Sequence, residues 1–148
     1  MAGTSVSFGM DMTSMRRGIR RAASRIRDVR IAGEEIGEML VSSTVERFDR
    51  GEGPDGTSWE PSRRAQAEGG KTLVDRGTLR GSISYEASPQ AVVVGSNLVY
   101  ARPHQDGGKV GRGLAVTLPA RPYLGISDED GEEAAAILLD HIRKGFAG

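Results

Sequence analysis

Residues 82–96 read SISYEASPQAVVVGS. Ile83 and Tyr85 alternate with small or polar residues, Ser88-Pro89-Gln90 has turn chemistry, and Ala91–Ser96 is a short β-branched run. A period of two on either side of a turn predicts a β-hairpin. This stretch decides the fold class, because the segments before and after it have the period of helices.

Upstream, Ile36, Met39, Leu40, Thr44 and Phe48 fall on one face of a helical pattern over about 31–48, with Glu34, Glu35, Glu38 and Asp49 on the other. A first helical pattern precedes it. Thr13 or Ser14 is its N-cap, and Met15, Ile19, Ala22, Ile26 and Val29 form a narrow apolar stripe. The two patterns read equally as one long bent helix or as two with a break near 30–33. Before them, Val6, Phe8 and Met10 alternate with small residues as in a short strand. Downstream, GLAVTLP predicts another strand. Ser127 caps a last helix whose first turn carries Asp128, Glu129 and Asp130 beside the positive end of the helix dipole. Ile137, Leu138, His141, Ile142 and Phe146 supply its apolar face.

The expected architecture is α+β: a small antiparallel sheet against a long N-terminal helix or helices and a C-terminal helix. It is read as one domain over 1–148, with a helical part at about 11–49, a loop at 50–72, a β-rich core at 73–126 and a helix at 127–146. The loop carries Gly51, Gly53, Pro54, Gly56 and Pro61, and PDG is turn chemistry. Trp59 is the single tryptophan, expected to pin that loop onto the core.

A chain of 148 residues can bury one sizeable core. It has no cysteine, which excludes disulfides, thiol catalysis and Cys-based zinc sites. No secretory leader and no apolar run of about 18 residues is present, so no membrane partner is expected. Twenty basic and twenty acidic side chains cancel. They are segregated: seven arginines against two aspartates give residues 1–30 a formal charge of +5, while eight acids lie in 31–60 and six in 127–140. Arg16, Arg17, Arg20, Arg21, Arg25 and Arg27 therefore form an electrostatic contact helix. It meets carboxylates of a neighbouring protein, or alternatively makes sequence-independent contact with DNA phosphates.

The densest stretch is residues 100–125, YARPHQDGGKVGRGLAVTLPARPYLG. NLVYARPHQDGG predicts a short helical turn closing on Gly107 and Gly108. Residues 107–113 read as an exposed, hairpin-like glycine loop rather than a phosphate loop, since Lys109 is not followed by Ser or Thr and no helix follows. His104 has Asp106 two residues away, but no serine sits in G-x-S-x-G, and His104 and His141 lack metal-site spacing. No catalytic residue, metal or cofactor is expected. Tyr100, His104, Tyr123 and the Arg-Pro steps at 102–103 and 121–122 instead suit rigid contacts of mixed polarity.

In order along the chain, RFDRGEGPDGTSWEPS, TLVDRGTLRGSISYEAS, VVVGSNLVYARPHQDGGK and LPARPYLGIS resemble the phage virion morphogenesis family, over about residues 45–128. That family includes Mu G-like proteins and the tail-completion proteins of contractile-tailed phages. The resemblance implies a non-enzymatic structural protein of the virion neck or tail end, acting in tail completion and head–tail joining. It implies a ring, sixfold to match a tail tube, that contacts neck, connector or tail-tube proteins and the DNA in the channel. Trp59, Tyr100, His104, Gln105, Arg121 and Tyr123 would then be architectural or subunit-interface residues. The N-terminal arginines have no counterpart in the family motif.

Overall fold

The computed structural model describes residues 6–11 and 29–147. Its elements are β1 (Val6–Asp11), α1 (Val29–Arg50), α2 (Arg63–Glu68), α3 (Thr78–Gly81), β2 (Ser84–Ala87), β3 (Ala91–Ser96), α4 (Ala101–Asp106), β4 (Gly108–Val110), a single 3-10 turn (Arg112–Leu114), β5 (Val116–Leu118) and α5 (Asp128–Ala147).

The expected hairpin is β2–β3, antiparallel with Tyr85 opposite Val94. Its turn is closed by Ser88 N–H donating to Ala91 O at 2.8 Å, and the Ser88 hydroxyl accepts from the Gln90 and Ala91 amides. β1 pairs antiparallel with the far side of β3, giving the order β1-β3-β2. Along β3, Val92, Val94 and Ser96 are buried while Val93 faces out. This is the alternation of a sheet with one covered face.

α1 covers that face and is the centre of the molecule. It packs on β2 and β3 and also lies along α5. Ala32, Ile36, Leu40, Thr44 and Phe48 are buried at helical spacing, as the 3.6-residue period requires. Gly37 is where the sheet comes closest: a Cβ there would lie 2.2 Å from the Tyr85 ring. α5 has the predicted cap. Asp130 N–H donates to the Ser127 hydroxyl at 3.0 Å, and Ser127 N–H donates back to the Asp130 carboxylate at 3.0 Å.

The α+β architecture is therefore present, with differences in detail. The segment expected as a plain loop at 50–72 contains α2. Ser62 caps that helix by accepting from Ala65 N–H at 3.1 Å, and Gly69 ends it in the left-handed region. Both signals lie in SRRAQAEGG, but the helix buries no side chain, so it has no apolar period to reveal it. The stretch 73–126 is not uniformly β. It includes α3, a single turn that was not expected, and α4, the short helical turn expected in NLVYARPHQDGG, which ends at Gly107.

The strand expected at GLAVTLP is β5, and its partner is β4 rather than the main sheet. The register sets Gly108 opposite Leu118 and Val110 opposite Val116. Gly107 lies at a tight approach, with φ 73° and room for no Cβ against Ala120 N. No side chain of residues 108–118 is buried.

Candidate functional site

The last two turns of α1 present Ser43, Thr44, Arg47 and Phe48 inward. Arg47 is only 6% exposed. Its Nη1 donates to Tyr123 O at 2.9 Å and Gly125 O at 3.1 Å, and its Nη2 donates to the Ser43 hydroxyl and to the Asp130 carboxylate. Asp130, 4% exposed, also accepts from the Ser43 hydroxyl at 2.6 Å and from Ser127 N–H. Each buried charge is thus surrounded by partners, the condition under which a buried ion pair is tolerated. The pair ties α1, the 121–125 segment and the start of α5 into one knot.

Beside it lies an aromatic cluster. Phe48 meets Trp59 edge-on with centroids 5.6 Å apart, and Tyr123 tilted at 5.1 Å. Trp59 reaches this position because Gly51 ends α1 and a tight turn at Gly53–Thr57 reverses the chain, with Trp59 N–H donating to Gly51 O at 2.8 Å. Its indole N–H donates to Pro122 O at 2.8 Å. The Tyr123 hydroxyl donates to Ala101 O at 2.7 Å. Burial, and then the Asp106 carboxylate, push the Tyr123 phenol above its ordinary pKa, so it remains a neutral donor.

Gln105 completes the arrangement. Its Oε1 accepts from the backbone amides of Tyr123 and Leu124, each at 3.0 Å, and its Nε2 donates to Leu124 O at 3.0 Å. One side-chain amide thereby substitutes for a neighbouring strand along residues 123–124. Arg121 Nε donates to Glu60 O at 2.6 Å, fastening the Trp59 loop from the other side.

His104 is placed differently. It is half-buried and edge-on to Tyr100, with ring centroids 6.1 Å apart. Burial, and then the Arg121 guanidinium, hold its pKa below the ordinary range, so the ring stays neutral. Its Nδ1 makes no hydrogen bond. The nearby carboxylate of Asp106 is paired with Arg102 at 3.3 Å, so it does not orient the imidazole. With Tyr100, Arg64, Leu73, Leu79 and Arg121, His104 lines an open groove of about 470 Å³. Among the described residues, no group of three His, Cys, Asp or Glu side chains could hold a metal ion. No helix there is long and apolar enough to cross a membrane.

Six residues stood out in the sequence as an architectural or interface motif. Trp59, Gln105, Arg121 and Tyr123 are brought together and buried within one chain, where they brace the loop, α4 and the 121–125 segment. Tyr100, 43% exposed, and His104 open onto the groove. Arg16, Arg17, Arg20, Arg21, Arg25 and Arg27 lie outside the described residues. Sequence reading missed Ser43, Arg47 and Asp130. The signal was present: positions 40, 44, 47 and 48 share one helical face, but an arginine there reads as a charge instead of a core residue.

The model of the phage virion morphogenesis family matches residues 10–143. A Haemophilus influenzae protein described as "Mu-like prophage FluMu G protein 2" is 33% identical, over 73% of this chain and 74% of its own length. The "putative capsid assembly protein G" of Escherichia phage Mu is 31% identical, over 80% of this chain and 88% of its own. A second Haemophilus influenzae protein, "Mu-like prophage FluMu G protein 1", is 26% identical over 90% and 92%. No solved structure matches the chain.

Proposed function

The chain belongs to the phage virion morphogenesis family and has a structural role in phage assembly, and from that premise we propose that it completes the tail and joins it to the head as a ring subunit of the neck or tail end. The ring is sixfold, matching a tail tube, and its action is non-enzymatic. It contacts neck, connector or tail-tube proteins, and DNA passes through it.

The observation that supports this reading most is the fate of the densest motif. Gln105, Arg121 and Tyr123, from the densest stretch of the sequence, hold backbone to backbone inside the chain. His104, beside them, is a neutral ring that the Asp106 carboxylate does not orient. A rigid frame, braced through side chain-to-backbone bonds, is what an assembly component needs.

The test is a phage carrying a nonsense mutation in the gene for this chain. The reading expects filled heads and separate, full-length tails, which join when purified protein is added, and sixfold density at the joint. Normal joined particles without the protein would overturn it. Loss of heads would move the role to capsid assembly, the term used for the phage Mu relative.

A further inference from the structure

We propose that the β4–β5 hairpin is an arm that docks into the acidic cleft beneath the start of α5 on a second copy of this chain. The proposal rests on the ring reading above and assigns the surfaces that would build the ring.

The arm comes first. A two-stranded hairpin without a packed face is marginal in water, yet residues 108–118 form one that buries no side chain. Its large apolar groups point into solvent: Leu114 is 61% exposed and Val116 is 51% exposed. Leu114 also sits in the left-handed region at φ 55°, an uncommon conformation for a residue with a branched side chain. A glycine would relieve that conformation, and glycines flank the position on its N-terminal side at Gly111 and Gly113. The leucine side chain is not buried in return. Lys109 and Arg112 make no ion pair among the described residues, and the segment 107–118 has no acid.

The complement lies elsewhere on the same chain. A cleft of about 560 Å³ opens between the end of α1, the turn at 53–56 and the first turn of α5. Asp55, Asp128 and Glu129 line it, and no cation pairs with them among the described residues. Of its two arginines, Arg47 is taken by Asp130, and Arg50 by Glu46 and Glu52. Ile126, 37% exposed, and Pro54 add an apolar wall. No residue of the hairpin lines this cleft in its own chain.

An apolar tip with two cations thus matches a surface with an apolar wall and three carboxylates, none of them ion-paired among the described residues. Both surfaces are on every copy and they are different surfaces, so the contact is head-to-tail. Head-to-tail contacts close into a ring when the rotation allows. Leu114 meets Ile126 and Pro54 of the next copy, while Lys109 and Arg112 meet its Asp55, Asp128 and Glu129.

The experiment measures the mass of the full-length chain by sedimentation across concentration and salt. Wild type should assemble, and more weakly at high salt. Lys109→Glu with Arg112→Glu should weaken association about ten-fold or more, since like charges then face each other. Asp128→Lys with Glu129→Lys should do the same. Mixing the two reversed proteins should restore assembly, because each reversed surface again meets its opposite. Leu114→Gly relieves the φ strain, so it should fold at least as stably while associating more weakly. If wild type assembles and all these variants assemble equally well, this contact is wrong and the ring reading stands. The contact is also wrong if the reversed proteins fail to rescue one another, or if the variants assemble normally but no longer join heads. A wild-type chain that remains a monomer at every concentration overturns the contact and the ring together.

Discussion

The stretch from Tyr100 to Gly125 contains two regions built on opposite principles. At its ends, Gln105 and Tyr123 are buried at 5% and 0% exposure and bonded to the backbone in several directions. In its middle, Gly108–Leu118 forms a ladder in which no side chain is buried. The two regions are continuous in sequence, and both carry glycines and basic side chains. What separates them is how far another described element of the same chain lies against them: α1 and the Trp59 loop bury the ends, and among the described residues none buries a side chain of the middle. A motif that is dense in a sequence can therefore mix residues that make the frame with residues that the frame holds out.

Breaking the frame should have the largest effect. Arg47→Ala leaves Asp130 buried and uncompensated and should destabilise the fold by about 3–5 kcal/mol, read from urea unfolding. If Arg47→Ala costs less than about 1 kcal/mol, the pair behaves as a surface bridge and the contrast with the hairpin collapses.

Trp59→Ala removes a buried aromatic and should cost about 3–5 kcal/mol. In the wild type, Trp59 emission should be blue-shifted and shielded from quenchers. Trp59→Phe keeps most of the packing but leaves Pro122 O without its indole donor, so it should cost about 1–3 kcal/mol. Gly37→Ala drives a methyl group into the Tyr85 ring and should cost about 1–3 kcal/mol by overpacking.

The pH dependence comes from the border of the two regions. His104 is held below its ordinary pKa of 6.5 by burial first and by Arg121 second. As pH falls, the unfolded chain takes up this proton before the folded chain does. The stability that His104 contributes is therefore complete above pH 6.5 and is lost as the pH falls toward the folded value. Thermal melts at pH 7.5 and 5.5 should show a wild-type loss that His104→Gln reduces. An identical loss in the variant would place the titration elsewhere.

The smallest effect should come from the hairpin. Leu114→Gly and the charge reversals at Lys109 and Arg112 should change the stability of the monomer by no more than about 1 kcal/mol, because surface substitutions away from packed features do little. A large loss there would mean that the hairpin is part of the core.

Much of this was legible in the residues. The period-two run at 82–96 became β2–β3, the alternation at Val6–Met10 lies in β1, and Ser127 with Asp130 caps α5. The aromatic in the long loop is buried, as a lone tryptophan there implies. These features depend on neighbours a few residues away, and local backbone geometry turns such spacing into structure. The resemblance in motif order pointed to the family that the chain matches over residues 10–143.

Other features were settled only by the fold. β5 could have joined the main sheet, but it pairs with β4, its neighbour across a short connection. Arg47 and Asp130 are 83 positions apart, and each reads alone as an exposed charge. Only the crossing of α1 over the start of α5 withdraws both from water and makes them partners. The division of residues 100–125 into a braced part and an exposed part has the same origin. Spacing along a chain sets which way a side chain faces, whereas burial depends on what arrives on that side from far away in the sequence.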